Sequence, residues 1–257
     1  MNNKGTWRSR STILKAVAFT TAAGLIAMPA AAVHSWNGYH WARTSTQVAP
    51  PVVDITTSQW TNYVTTAVAD WNQSTVIQSP YSKATGNGRT CKPQAGKILV
   101  CNAAYGQNGW LGIASIWLSN GHISQGTTKL NDTYYGFAQY NTPAWRAAVT
   151  CQEIGHDYGL GHQDEDFNTD ATSSCMEYTS VPAGNEHPDS HDYNQLLDVY
   201  DHTDSAAAVP SSLPSQAIGN TRADWGRQIG HHTFERDLGN GNKVITDVLF
   251  VNHTHGK

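Results

Sequence analysis

Beyond its first 32 residues the sequence has no apolar run near the roughly 20 residues that a membrane-crossing helix needs, and it has no internal repeat. A helical membrane protein and a repeat array are both excluded. Positive charge is scarce, with 16 Lys+Arg against 20 Asp+Glu. Cysteine is scarcer still, at positions 91, 101, 151 and 175, without the short paired spacing of structural zinc sites. The cysteines are therefore read as disulfide partners rather than metal ligands.

The start of the chain accounts for part of the positive charge. Lys4, Arg8, Arg10 and Lys15 precede and flank a short apolar run from Ala16 to Met28, and Pro29-Ala30-Ala31-Ala32 offers small residues at a cleavage position. This is the pattern of a secretory signal peptide, residues 1–32, cut after Ala32. Removing those four basic residues from 16 leaves 12 against 20 acidic ones, a mature net charge of −8 with histidine neutral. A polyanion such as nucleic acid is not an expected partner, and no stable membrane association is expected after signal removal. An even cysteine count in a secreted, extracellular chain implies two disulfides. Three connectivities are possible. The sequence-local one, Cys91–Cys101 and Cys151–Cys175, is preferred because Pro93 and Gly96 suit a turn between the first pair.

The periodicity predicts an α+β chain. Strands are expected at 52–55, 97–101, 111–118 and 122–130, the last two joined by Asn120-Gly121, a strong hairpin signal. Trp60, Tyr63, Val64, Val68 and Trp71 fall at helical spacing in a helix over 57–73. A second helix begins at Asn141-Thr142-Pro143 and stops at Gly159, and a last one covers 187–202. The segment 34–41 is aromatic-rich and expected to pack on the domain without regular structure. Residues 206–257 read as a linker and a small C-terminal β extension with a strand at 244–251, and no chemistry is legible there.

Chemistry is concentrated in the run Gln152-Glu153-Ile154-Gly155-His156-Asp157-Tyr158-Gly159-Leu160-Gly161-His162. Positions 152 and 156 are four apart on a helix and share a face, so both can reach one ion. Glu153 lies beside them, where a carboxylate can take a proton from an activated water. Gly159 ends the helix and lets His162 return as a third ligand.

These residues resemble the metzincin clan of zinc endopeptidases, whose pattern is H-E-x-x-H-x-x-G-x-x-H. Glu153, His156, Gly159 and His162 match it, and Gln152 stands where the first histidine would be. Met176, 14 residues after His162 in Ser174-Cys175-Met176-Glu177-Tyr178, resembles the clan's Met-turn, and Tyr178 holds the place of a tyrosine that assists at the metal. The chain also looks like exported bacterial matrixin-like proteins carrying C-Q-E-x-G-H and N-x-H-P-x-x-H-D-Y, the second matching Asn185 to Tyr193.

The resemblance covers roughly residues 46–203 and implies a metzincin-like catalytic domain over 33–205. It implies a twisted mixed sheet packed on an N-terminal helix and an active-site helix, with a Met-turn and a C-terminal helix. It also implies Zn²⁺ held by His156, His162 and Gln152, with Glu153 as general base, Tyr178 assisting catalysis, and Met176 and Gly159 in structural roles. The substrate would be a protein or peptide bound as an added strand along an edge strand, for which 122–130 is the candidate, and the protein a monomer. A glutamine oxygen is a weaker zinc donor than imidazole. The alternative is a catalytically impaired metzincin-fold protein that binds a protein or peptide in its cleft. Asp164 is a reserve ligand. His187, His191 and His202 read as surface or helix-end residues, and His231-His232 is assigned nothing. A Cys151–Cys175 bond would tie the metal helix to the Met-turn, contributing about 3 kcal/mol if loop entropy dominates.

Overall fold

The computed structural model describes residues 1–2, 34–169, 172–205 and 216–251. The expected signal peptide and most of the linker lie outside the described residues. In chain order the elements are β1 (His40–Trp41), β2 (Val52–Asp54), α1 (Ser58–Trp71), β3 (Tyr81–Lys83), β4 (Ile98–Ala103), β5 (Trp110–Ser119) and β6 (His122–Asn131). They continue with α2 (Asp132–Tyr135), α3 (Pro143–Asp157), α4 (Ser190–Val199), α5 (Arg222–Trp225), β7 (Arg227–Gln228), β8 (Thr233–Gly239) and β9 (Asn242–Phe250). No helix among the described residues is long and apolar enough to cross a membrane.

The ten-residue strands β5 and β6 form the centre. Asn120 and Gly121 join them at φ 52° and 84°, the left-handed pair that a tight hairpin needs and that Asn-Gly adopts with little strain. The sheet runs β3-β2-β4-β6-β5-β9-β8-β7, with β1 beside the start of β6. It is mixed: β1, β2, β3, β4 and β6 pair in parallel, whereas β5, β9, β8 and β7 pair antiparallel.

Three expectations change here. The segment 122–130 is not an edge strand, because β6 lies between β4 and β5. The aromatic segment 34–41 does contain regular structure, since β1 pairs with β6 at His40↔His122. The C-terminal strands join the main sheet, with β9 along the full outer side of β5 from Trp110↔Phe250 to Leu118↔Lys243. Local alternation could show that 244–251 is a strand. Its partner lies more than 120 residues earlier, and period-2 patterning carries no information about that.

Alternation of side chains gives the sheet two faces. On one face Leu111, Ala114, Ile116, Ile245 and Leu249 meet Trp60, Val64, Trp71, Val149 and Ile154 of α1 and α3. On the other, Trp110, Ile113, Trp117, Val244 and Val248 meet Trp225 and Phe234. The helix α3 starts where Thr142 accepts a hydrogen bond from the Trp145 amide at 3.2 Å, with Pro143 in the first turn. It ends before Gly159, whose φ is 93°. A Cβ there would lie 2.0 Å from the Tyr39 carbonyl, so glycine is required on two grounds. The helix α4 carries a capping box built by Asp189 and Asp192, which satisfies two of the free amides at its start. Disulfides join Cys91 to Cys101 and Cys151 to Cys175.

Gly155 of α3 packs tightly against α1 and the Met176 segment, since a Cβ there would lie 2.6 Å from both Met176 Sδ and Trp71 Cζ2. Gly155→Ala should therefore destabilise the protein. Overpacking costs about 1–3 kcal/mol, against about 1 kcal/mol of helix propensity returned by alanine. Thermal unfolding should show a Tm lowered by a few degrees. An unchanged or higher Tm would mean that Met176 and Trp71 yield at no cost.

Candidate metal centre

The buried face of α3 presents His156 and Glu153 to the sheet, and the Gly159 turn brings His162 back beside them. The two imidazoles meet edge to face, with centroids 4.5 Å apart. His156 Nδ1 lies 2.8 Å from the Leu160 carbonyl and so carries the proton. Its Nε2 lone pair is left pointing inward, the arrangement seen when a backbone carbonyl orients a metal-binding histidine. Neither His156 Nε2 nor His162 Nε2 has a hydrogen-bond partner, and both are buried. Trp36 stacks on His156 at 4.8 Å and 13°, fixing the ring from its other face.

The third group comes from β9. Asp247 Oδ1 lies 3.8 Å from His156 Nε2 and 3.7 Å from His162 Nε2, and all three ligand atoms fall within 4.8 Å of one another. Zinc held at about 2.0–2.1 Å in a tetrahedron sets its ligand atoms roughly 3.3 Å apart, so a small inward movement would complete a site. The Asp247 carboxylate is itself held: Oδ2 accepts from Thr233 Oγ1 at 2.7 Å, and Oδ1 accepts from the Tyr178 hydroxyl at 3.4 Å. Two imidazoles and one carboxylate form a donor set suited to zinc and related divalent ions.

Glu153 lies against the backbone of β5. A Cβ at Gly112 would be 2.3 Å from Glu153 Oε1, and no side chain hydrogen-bonds either carboxylate oxygen. Burial, then the negative charges of Asp247 and Asp157, push the Glu153 carboxyl well above its ordinary range. Burial, then neighbouring His162, push His156 down to about 4, so it is neutral and free to ligate at neutral pH. Buried acids gathered beside a neutral His156 are a costly arrangement without a cation. A divalent ion at His156, His162 and Asp247 would lower the cost of ionising Glu153.

The sequence-expected residues are placed as follows. His156, His162 and Tyr178 meet in one cluster, with the Tyr178 ring 4.2 Å from that of His162. Met176 is fully buried beneath α3 against Gly155. The Gln152 amide donates from Nε2 to the Glu177 carbonyl at 3.2 Å, and its buried Oε1 has no partner. A cavity of about 10 Å³ adjoins it, room for roughly one water. Asp164 caps its own turn, accepting from the Asp166 amide at 3.0 Å, and stands outside the ligand group. His187 bonds Asp70 at 2.7 Å, well away from the centre in the chain's last-helix region.

Sequence reasoning missed Asp247, Trp36 and His232, whose ring packs on Tyr178 at 4.4 Å. A signal for Asp247 was present. It is the single acid in the apolar run Val244-Ile245-Thr246-Asp247-Val248-Leu249-Phe250, and a charge on a buried strand needs a partner.

No protein-family model matches the chain, and no curated protein matches it in sequence. Among solved structures it is similar to high choriolytic enzyme 1, a hatching enzyme zinc-protease from Oryzias latipes (medaka fish). That similarity has 13% identity and a TM-score of 0.34, over 63% of this chain and 94% of that one.

His156, His162 and Asp247 are a group that could hold a metal ion, whereas Gln152 is turned to the Glu177 carbonyl, and the difference is measurable. In competition with a chelator, His156→Ala and Asp247→Ala should each weaken zinc binding by at least about 100-fold. Gln152→Ala should cost under about 10-fold, the lower bound of what losing a hydrogen bond behind a metal ligand costs. A loss for Gln152→Ala as large as that expected for Asp247→Ala would mean that Gln152 touches the metal, and a loss for Asp247→Ala as small as that expected for Gln152→Ala would mean that Asp247 does not.

Proposed function

We propose that this chain is a secreted, monomeric zinc-dependent endopeptidase of the metzincin type, held in a self-closed form by its own C-terminal strands. The observation that carries this reading is the convergence of two unpartnered imidazole nitrogens and the Asp247 carboxylate beside Glu153. Zinc, when bound there, would polarise a scissile carbonyl and acidify a water.

The chain's own groups supply the remainder. Glu153 takes a proton from the attacking water and returns it to the leaving amine, as a carboxylate with a raised pKa is suited to do. Tyr178 donates its hydroxyl hydrogen to the oxygen on which negative charge develops. Its present acceptor is Asp247, so the same hydroxyl exchanges one anionic oxygen for another. The Cys151–Cys175 bond and the Met176 contact under Gly155 hold both catalytic groups in place.

Closure follows from the sheet. A peptide that adds to a sheet needs an open edge, and the edge of β5 is taken by β9. The side chains of His156, His162 and Asp247 are no more than 2% exposed. A cavity of about 380 Å³ lies one residue layer outside, lined by Trp36, Tyr39, Thr233, Glu235, Lys243 and Ile245. Trp36 touches His156 and Thr233 touches Asp247, so displacing β8 and β9 would join this cavity to the centre. In the closed form β9 thus occupies the place of substrate and lends Asp247 to the metal; when the strand moves out, Asp247 leaves with it, so His156 and His162 would hold the ion and the vacated position would face substrate and water. Protein or peptide substrate is the expected partner, and nucleic acid is not.

Val248 lies on the face of β9 opposite Asp247, buried against Ile113 and Trp117. Val248→Ala should weaken the strand by about 2 kcal/mol and raise the open population roughly 20- to 30-fold. Zinc-loaded wild type should hydrolyse casein slowly, Val248→Ala about ten-fold faster or more. Glu153→Ala should abolish hydrolysis in both backgrounds while keeping zinc. Zinc binding with no hydrolysis in wild type or Val248→Ala would show instead a non-catalytic metal-binding module.

A further inference from the structure

A second group of histidines stands apart from this centre, at the junction of β1, the start of β6 and the chain just after α4. We propose that His40, His122, His202 and Asp204 form a second divalent transition-metal site, zinc-type in its donors, that fastens these three segments together. It does not depend on the peptidase reading.

The first argument is distance. His122 Nε2 lies 3.1 Å from Asp204 Oδ1, His40 Nε2 lies 3.4 Å from Asp204 Oδ2, and His202 Nε2 lies 3.4 Å from Asp204 Oδ1. The Nε2 atoms of His40 and His202 are 3.2 Å apart. Tetrahedral zinc with bonds of about 2.0–2.1 Å sets its ligand atoms roughly 3.3 Å apart. The separations from Asp204 Oδ1 to His122 and His202 and the one between His40 and His202 bracket that value, and His40 meets the other oxygen of the same carboxylate. His40, His122 and Asp204 each offer one ligand atom within 4.8 Å of the others, and His202 adds the fourth donor.

The second argument is the placement of protons. His40 Nδ1 lies 2.7 Å from the Gly38 carbonyl, and His202 Nδ1 lies 3.0 Å from Asp201 Oδ1. Both partners accept, so both Nδ1 atoms carry hydrogen, and in the neutral rings both Nε2 atoms present lone pairs. Two lone pairs facing each other at 3.2 Å repel unless a proton or a cation lies between them. A carbonyl or carboxylate behind two of the three imidazoles is also what orients histidines at metal sites.

The third argument is that the site is built rather than incidental. Asp204 accepts from the Arg43 amide at 2.7 Å through Oδ2, and its own amide donates to the Arg43 carbonyl at 2.7 Å. Its side chain is 11% exposed and that of His40 12%, with His122 at 24% and His202 at 48%. Three well-covered ligands and one exposed one describe a site closed on the protein side, where His202 serves as the last ligand to engage. Four protein donors leave no open position, which is the signature of a structural rather than a catalytic zinc site.

The test is zinc stoichiometry after equilibrium dialysis of the mature protein and of His122→Ala, His202→Ala and His156→Ala. Wild type should bind two zinc ions, and His122→Ala and His156→Ala one each. In His202→Ala the second ion should bind at least about 10-fold more weakly. One zinc in wild type, lost in His122→Ala and kept in His156→Ala, would support this site and remove the other. Equal zinc content in wild type and His122→Ala would overturn the proposal, since a shared proton would then explain the histidine contact. Should His122→Ala fail to fold, the exposed His202→Ala variant decides. Zinc affinities unchanged from wild type overturn the site, and a selective loss of one supports it.

Discussion

Pairing of β9 with β5 places the Asp247 carboxylate under the sheet, against two imidazoles and a second buried acid. Period-2 alternation leaves no other choice: once Val244 and Val248 face Trp110, Ile113 and Trp117, the alternate residues Ile245, Asp247 and Leu249 turn toward α3. Asp247 is then buried with Ile245 and Leu249 as its strand neighbours on that face. A buried carboxylate is costly unless it is bonded or meets positive charge. Thr233 and Tyr178 bond it, and the Nε2 atoms of His156 and His162 face it at 3.8 and 3.7 Å. Much of the surrounding structure serves to hold these few atoms in register.

That holding has several independent parts. Trp71 donates its indole N–H to the Cys151 carbonyl at 3.0 Å, so α1 grips the middle of α3. The Cys151–Cys175 bond fastens the same turn of helix to the segment of Met176 and Tyr178. Above the helix end, the His34 carbonyl accepts from the Gly161 amide, and the Trp36 amide donates to the Gly159 carbonyl. The N-terminal segment thus covers the turn that returns His162. Each device fixes a backbone rather than a charge, which suits a site whose ligands must approach within a few tenths of an ångström of one another.

Both histidine clusters are assembled from segments distant in sequence. The inner one needs α3, the turn after it and the last strand. The outer one needs β1, the start of β6 and the end of α4. In each, one carboxylate from a late segment meets histidines from earlier ones, Asp247 inside and Asp204 outside. A cation at either place would therefore act as a cross-link whose strength equals its binding free energy. The Arg43–Asp204 backbone pair gives the outer cluster a frame of its own.

Local features of the chain were legible in its sequence because their causes are local. Asn120-Gly121 dictates a hairpin through left-handed φ values, Thr142-Pro143 starts α3, and Gly159 ends it. The spacing of Glu153, His156 and His162 puts them on one side of that helix and its turn. What the sequence could not determine was which strands are neighbours. The segment 122–130 read as an edge and lies inside the sheet, and the aromatic stretch at 34–41 read as irregular and supplies β1. The motif predicts Gln152 as a ligand beside His156 and His162, yet its amide bonds the Glu177 carbonyl and the group that meets the two histidines is Asp247, 95 residues later. Strand order depends on which apolar faces bury each other across the whole chain, and no window of neighbouring residues contains that sum. Tertiary structure alone decided that the last strand would lie beside β5 and bring a carboxylate to the two buried histidines.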